Sequence, residues 1–127
     1  VGPGKRPFHT IIPGFLAREG KPLGPFGVMG GFMQPQGHVQ VVVGLADFGL
    51  NPQAALDRPR WQVVPGDEVL LEPGIPQATA LFLRDRGHRG RYEAEYGLFG
   101  RGQVVFRLGE ALVGASYPRA EGLALAW

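Results

Sequence analysis

The run from Gly27 to His38 constrains the fold of this chain more than any other stretch, because an apolar strand there meets an apolar helix at two glycines. Residues 25–29 are predicted to form the strand, Gly30 and Gly31 the turn, and Pro35 lies near the start of the helix. Glycines let the backbone approach a bound group and point N–H groups at it, and a helix N-terminus adds free donors. The pattern indicates a site that stabilises an anion or an oxyanion. An ordinary tight strand-to-helix connection is the alternative.

Apolar periodicity and turn residues predict a mixed chain in the order two strands, two helices, two strands, one helix and three strands. The first two strands should form a hairpin, with a bend at Pro13-Gly14. A helix is preferred to a buried strand over 36–50, because the run is long and Gly49 stands where a C-terminal glycine belongs. The order indicates an α/β or α+β layer structure. The predicted elements are strands 9–18 and 24–29, helices 36–50 and 53–57, strands 61–64 and 68–71, helix 76–86, and strands 89–96, 102–108 and 111–115.

Composition excludes several classes of function. The 127 residues suffice for one domain, with 44% hydrophobic and 19% charged residues. No cysteine is present, which excludes disulfides, thiolate catalysis and cysteine metal sites. No apolar stretch reaches the 18 residues of a membrane span. The one dense basic patch, between Arg84 and Arg91, is diluted by acidic residues, so nucleic-acid binding has little support.

Polar residues that could carry chemistry mostly have simpler roles. The 3 histidines have no spacing that suits a metal site, and neither a metal nor another cofactor is expected. His38 is predicted to be a partly buried, hydrogen-bonded residue of the helix, and His88 a surface residue. Glu93 and Glu95 could form a two-carboxylate site, but an exposed strand face explains them better. Arg60 and Trp61 should anchor a helix to a sheet, and Arg119 is expected to bind a carboxylate or a carbonyl.

Five blocks in the right order and spacing resemble the C-terminal part of the gamma-glutamyltransferase (gamma-glutamyltranspeptidase) family. Together they extend the resemblance over essentially the whole chain. The blocks are Val1 to Pro7 with Ile12-Pro13, Gly30-Gly31, Asp47 to Asn51 with Ala54-Ala55, Asp57 to Trp61, and Gly114 to Ser116 with Pro118-Arg119.

This resemblance implies a fold and a chemistry. The family consists of N-terminal nucleophile hydrolases with a four-layer αββα fold, so an α+β fragment of that fold is expected. The precursor cleaves itself to expose a threonine, whose hydroxyl attacks the gamma-glutamyl amide with its own α-amino group as base. The family's oxyanion glycines fall on Gly30 and Gly31, and its pair of substrate-binding serines falls on His9 and Thr10. The His-Thr pair resembles the acylase-like branch. Tyr117 stands where the family often has Asp.

The resemblance places the nucleophile and the acidic residue that grips the substrate amino group before Val1. Residues 1–127 are therefore expected to be a single domain, the C-terminal portion of a small subunit, that is inactive alone. Its expected partners are the remainder of the same precursor and a small gamma-glutamyl or acyl amide substrate, and an oligomer is expected. The alternatives are an acylase of non-glutamyl amides and a non-catalytic module. The compartment stays open, with the cytoplasm favoured.

Overall fold

The chain begins its regular structure with an antiparallel hairpin. The computed structural model describes residues 1–118 and 120–125, so the role expected of Arg119 lies outside the described residues. Strand β1 is Gly14–Arg18 and strand β2 is Lys21–Met29. Glu19 and Gly20 form the turn between them, both with positive φ (51° and 75°), as a two-residue hairpin turn of type I′ requires. The hairpin prediction is confirmed. The predicted start of the first strand at residue 9 is wrong, because β1 pairs with β2 only from Gly14 onward.

Two helices follow the glycine pair. Helix α1 is Met33–Ala46 and helix α2 is Pro52–Asp57. The preference for a helix over a strand in the valine-rich run is confirmed, although α1 begins three residues before the predicted position and ends four residues before it. Gly49 has φ 62° and lies beyond the end of the helix. Asn51 caps α2 as predicted, since its Oδ1 accepts the amide of Ala54 at 2.8 Å.

The larger sheet has the order β1-β2-β6-β7, where β6 is Arg101–Leu108 and β7 is Ala111–Ser116. Both β6 and β7 were predicted within one residue. Helices α1 and α2 cover one face of this sheet, and apolar residues from both layers form the core between them: Phe26, Val28, Val41, Leu56, Val104, Phe106 and Ala115. At Gly37 the helix lies so close to β2 that a Cβ would be 2.6 Å from Val28 Cγ1.

The smaller sheet has the order β3-β4-β5. Strands β3 (Trp61–Val64) and β4 (Glu68–Leu71) are antiparallel and have the predicted bounds. Helix α3 (Gln77–Arg84) then leads to β5 (Arg89–Tyr92), which pairs in parallel with β4. The predicted strand at 89–96 is thus too long, because the chain forms a 3-10 helix at Tyr96–Phe99 instead. No helix in the described part of the chain is long and apolar enough to cross a membrane.

Glutamine side chains replace missing strand partners at three places. The carboxamide of Gln36 both donates to and accepts from the backbone of Val63, and that of Gln40 does the same with Trp61. Gln53 binds the backbone of Ser116 in the same two-bond way. Side chains of α1 thereby satisfy the outer edge of β3, and α2 is tied to the end of β7.

A buried polar cluster connects the two sheets. Glu72 is fully buried and accepts the backbone amide of Arg60 at 2.7 Å and the hydroxyl of Tyr117 at 2.8 Å. The guanidinium of Arg60 lies over the Tyr117 ring at 4.5 Å and donates to the carbonyl of Phe99 at 3.0 Å. The structure agrees with the anchoring role predicted for Arg60. Trp61 is instead fixed by its backbone, while its side chain is 37% exposed.

Candidate functional site

Gly30 and Gly31 lie where β2 ends and α1 begins. Both have backbone dihedrals that favour glycine, and at Gly30 a side chain would also be too close to its neighbours. Gly30 has φ 152°, and a Cβ there would lie 2.9 Å from the Cα of Gly100. Gly31 has φ 56°, with open space on the side where a Cβ would stand. The first glycine is therefore packed against the loop before β6, whereas the second borders an open surface.

The hydrogen bonds of this turn leave its amides available. The carbonyl of Gly30 accepts the amide of Met33 at 3.0 Å, and that of Gly31 accepts the amide of Gln34 at 3.1 Å. Neither glycine amide has an acceptor within residues 1–118 and 120–125. The expectation that the first turn of the helix adds free donors is wrong for Met33 and Gln34, because their amides are bound within the turn. Pro35, the third helical residue, has no amide hydrogen to offer.

The segment before β1 reaches the glycine turn through Gln34. The Gln34 carboxamide donates to the carbonyl of Thr10 at 2.7 Å and accepts the amide of Ile12 at 3.3 Å. This contact holds the exposed segment before β1 against the start of α1. Sequence reasoning missed Gln34, although a polar residue at the start of an apolar helix was a usable signal.

Two adjoining open depressions result. The edge depression runs along the free edge of β2, and the apolar depression lies beside the start of α1; the two share Thr10, Ile12, Gly31 and Gln34. The edge depression also includes Gly27, Val28, Met29, His38, Arg101 and Gln103. The apolar depression also includes Phe8, His9, Phe32 and Pro35. Three of the four predicted site residues, His9, Thr10 and Gly31, thus line one surface, and Gly30 adjoins it through its neighbour.

His38 closes the edge depression from the helix side. Its Nε2 accepts the backbone amide of Val28 at 2.9 Å, and its ring lies 5.0 Å from that of Phe26. Partial burial holds the pKa of His38 below its usual value, which favours the neutral imidazole that this bond requires. The predicted partly buried, hydrogen-bonded histidine is what the structure contains.

Other candidate residues do not line either depression. Glu93 follows the end of β5, and its carboxylate accepts hydrogen bonds from the side chain of Arg91 at 2.8 Å and from the amide of Glu95. The hydrogen bond from Arg91 lowers the pKa of Glu93, so this carboxylate is a poor general acid. His88 is exposed, and Tyr117 is buried in the cluster with Glu72. In the described ranges, no three His, Asp or Glu side chains are grouped to hold a metal ion.

The surface can therefore stabilise charge but shows no activated nucleophile. Peptide N–H groups beside an open depression can bind a developing oxyanion. The Thr10 hydroxyl is the one hydroxyl that lines either depression. It has no hydrogen-bonded base among the described residues, whereas a nucleophilic hydroxyl needs one.

Comparison with known proteins identifies the family. The gamma-glutamyltranspeptidase family model matches residues 1–127. The glutathione hydrolase-like YwrD proenzyme of Bacillus subtilis is 32% identical over 130 residues, covering 97% of this chain and 25% of that protein. The glutathione hydrolase proenzyme of Escherichia coli is 34% identical over 122 residues, covering 94% of this chain and 20% of that protein.

Solved structures agree. Cephalosporin acylase from Bacillus halodurans superposes with a TM-score of 0.91 at 53% identity, covering 100% of this chain and 24% of that one. Gamma-glutamyltranspeptidase from Pseudomonas nitroreducens gives a TM-score of 0.82 at 25% identity, covering 100% of this chain and 67% of that one.

The chain belongs to the gamma-glutamyltranspeptidase family. The resemblance found in the sequence is confirmed, and the 53% identity to a cephalosporin acylase supports its acylase-like side. The expected fold class, an α+β fragment of the family's N-terminal nucleophile hydrolase fold, is confirmed as well. The chain spans about a quarter of the length of the curated relatives.

Proposed function

We propose that this chain supplies the oxyanion-binding turn and part of the acyl pocket of a gamma-glutamyltransferase-like enzyme. The enzyme hydrolyses or transfers gamma-glutamyl or related acyl groups through an N-terminal threonine that lies outside residues 1–127. The observation that carries the proposal is the pair of unbonded amides at Gly30 and Gly31 beside a depression lined by Thr10. Residues 1–127 are then the C-terminal portion of the small subunit, and the rest of the precursor is their first partner.

The mechanism follows from the chemistry of the amide bond. The threonine hydroxyl, deprotonated by its own α-amino group, attacks the substrate carbonyl carbon. The carbonyl oxygen becomes an oxyanion and accepts the amides of Gly30 and Gly31, each donor being worth about 3 kcal/mol in the transition state. Collapse breaks the C–N bond while the α-ammonium group gives its proton to the departing amine, and water or an acceptor amine then releases the acyl group. His9 and Thr10 bind the distal end of the acyl chain from the same surface.

An exchange of one backbone atom tests this role. In the full-length precursor that contains this chain, Gly31 is replaced by glycolic acid, which turns its N–H into an ester oxygen. We expect kcat for a gamma-glutamyl or glutaryl anilide to fall about 10²-fold with little change in KM, because the bond strengthens only as charge develops. The matched control is the same exchange at Gly20, which also has positive φ and open space but lies at the other end of β2. Equal kcat for both exchanges would refute the role of Gly31.

The apolar depression favours a non-glutamyl acyl group as the second candidate substrate. Phe8, Ile12, Phe32 and Pro35 contribute apolar surface beside Gly31. No Lys or Arg lines this depression in the described residues. The charged glutamyl α-carboxylate would therefore meet His9, Thr10 and the Gln34 carboxamide, which already donates to the Thr10 carbonyl. Comparing kcat/KM for gamma-glutamyl, glutaryl and phenylacetyl anilides distinguishes the candidates. A higher value for gamma-glutamyl anilide than for both others would exclude the acylase alternative.

A further inference from the structure

We infer that His38 is a positioning residue that holds the end of β2 in place and thereby aims the amide of Gly30 at the edge depression. The inference rests on the proposed oxyanion role of the glycine turn. It gives a function to a side chain that is not in contact with the reacting atoms.

Two consecutive residues of α1 attach to one residue of β2. Gly37 brings the helix backbone against the side chain of Val28, and His38 Nε2 accepts the Val28 amide at 2.9 Å. Val28 is 2% exposed, so its side chain is fixed by the core while its amide is fixed by the imidazole. The contact with the Phe26 ring sets the position of the imidazole itself.

The bond occupies the place of a missing strand. Pairing of β1 with β2 ends at Phe26, so beyond that residue the β2 edge has no strand beside it among the described residues. The Val28 amide points to this edge and would lack a protein acceptor without His38. Because amides alternate in direction along a strand, the amide of Gly30, two residues later, leaves β2 on the same edge. Movement of Val28 would therefore misdirect the donor at Gly30.

The contact depends on the charge of His38. Only the neutral ring with its proton on Nδ1 presents a lone pair to the Val28 amide, whereas the imidazolium presents a second donor. Burial lowers the pKa of His38 in the folded protein. The bond is therefore complete above the ordinary histidine pKa and is lost as the pH falls through the lowered value. Besides His38, the one titratable side chain that lines the edge depression is Arg101 on β6, and no described carboxylate lines it.

Variants of the mature enzyme, obtained from the full-length precursor that contains this chain, test the inference. His38→Leu removes the acceptor, and we expect kcat above the pKa of His38 to fall about 10- to 100-fold with KM within about two-fold, as for a misplaced catalytic group. The difference from the wild type should narrow as the pH falls through that pKa, because the wild type then loses the bond as well. His38→Gln keeps a neutral acceptor at similar reach; it should restore most of kcat and remove the part of the acidic decline that protonation of His38 causes, leaving the part caused by protonation of the α-amino base. His88→Gln, a change at an exposed histidine, is the matched control and should keep the wild-type pH profile.

Hydrogen-exchange NMR supplies a readout that does not depend on turnover. The Val28 amide should exchange faster in His38→Leu than in His38→Gln. The nuclear magnetic resonance titration of His38 should match the part of the acidic limb of kcat that His38→Gln removes. Unchanged Val28 exchange, or unchanged kcat in His38→Leu, would overturn the inference. Failure of the proposed function is recognised separately, because the glycolic acid exchange at Gly31 would then leave kcat unaltered.

Discussion

At the scale of single residues, Tyr117 shows how a departure from a family pattern can be structural. Its side chain is 1% exposed, its hydroxyl donates to Glu72 and its ring carries the guanidinium of Arg60. The residue thus belongs to the cluster that joins the two sheets, and it lines neither of the depressions around Gly31. The sequence could predict an anchoring role for Arg60 but not the membership of Glu72, because 45 residues separate Glu72 from Tyr117.

Removing one hydroxyl measures the value of this cluster. We expect Tyr117→Phe to lower the free energy of unfolding of the full-length protein by about 1–3 kcal/mol, because it removes one hydrogen-bond donor from a buried carboxylate. The measurement is denaturant-induced unfolding. Tyr92→Phe is the matched control, since the Tyr92 hydroxyl donates to the carbonyl of Ile75 from an exposed side chain. That change should cost within about 0.5 kcal/mol. Equal losses for the two variants would contradict the prediction.

At the scale of elements, helix α1 interacts with a strand through side-chain amides as well as through apolar packing. Gln36 and Gln40 lie four residues apart and so project from one face of the helix. Their partners, Val63 and Trp61, lie two residues apart and so point to one edge of β3. The two spacings match, and the helix edge completes the hydrogen bonding of a strand.

Hydrogen exchange at β3 tests this arrangement. Gln40→Met keeps the length of the side chain but removes both of its bonds to Trp61. We expect exchange of the Trp61 amide to accelerate, because its acceptor is gone, while the Gln62 amide stays protected. Alternation along the strand points Gln62 towards β4, which makes it an internal control. Equal acceleration at both amides would instead mean that β3 as a whole had loosened.

The sequence predicted those elements best whose ends carry their own local signals. Strands β3 and β4 were predicted with their observed bounds, because Pro65, Gly66 and Asp67 mark the turn between them. The predicted helix begins just after Pro35, three residues late, yet proline is tolerated in the third helical position, where an amide hydrogen has no helical acceptor. Residues 9–13 were predicted as strand from their β-propensity, which cannot show whether a partner strand exists.

The same distinction applies to the candidate site. The glycine pair could be found from the local sequence pattern, and the full set of four proposed site residues from the family resemblance. The partners of Gln34 and His38 could not be predicted, because they are backbone groups 10 or more residues away. Such contacts arise only when the hairpin and α1 are assembled.

At the scale of the whole molecule, only one face of the larger sheet is covered by other elements of the described chain. Helices α1 and α2 pack on the face of Phe26 and Val104. The strand register places several exposed apolar side chains together on the opposite face: Phe15, Met29, Val105 and Leu112. An apolar face of this kind drives association with other chains or segments.

We therefore expect residues 1–127 produced alone to self-associate and to lack amidase activity. Self-association follows from the open face of the sheet, and inactivity from the absence of an activated hydroxyl in the described depressions. Sedimentation velocity and release of a chromogenic amine from gamma-glutamyl anilide measure the two properties. A compact monomer that persists on dilution would contradict the first. Turnover that Thr10→Ala abolishes would contradict the second.

The glutamine contacts on β3 also make the two edges of the smaller sheet differ in their ability to pair with another strand. The outer edge of β3 is hydrogen-bonded to carboxamides from α1, so another strand could pair with this edge only after displacing them. The other margin, at β5, meets no further strand among the described residues. Another polypeptide, or a second copy of this chain, could add a strand to this sheet only at β5. A disulfide or a charge engineered to prevent such pairing therefore belongs on β5.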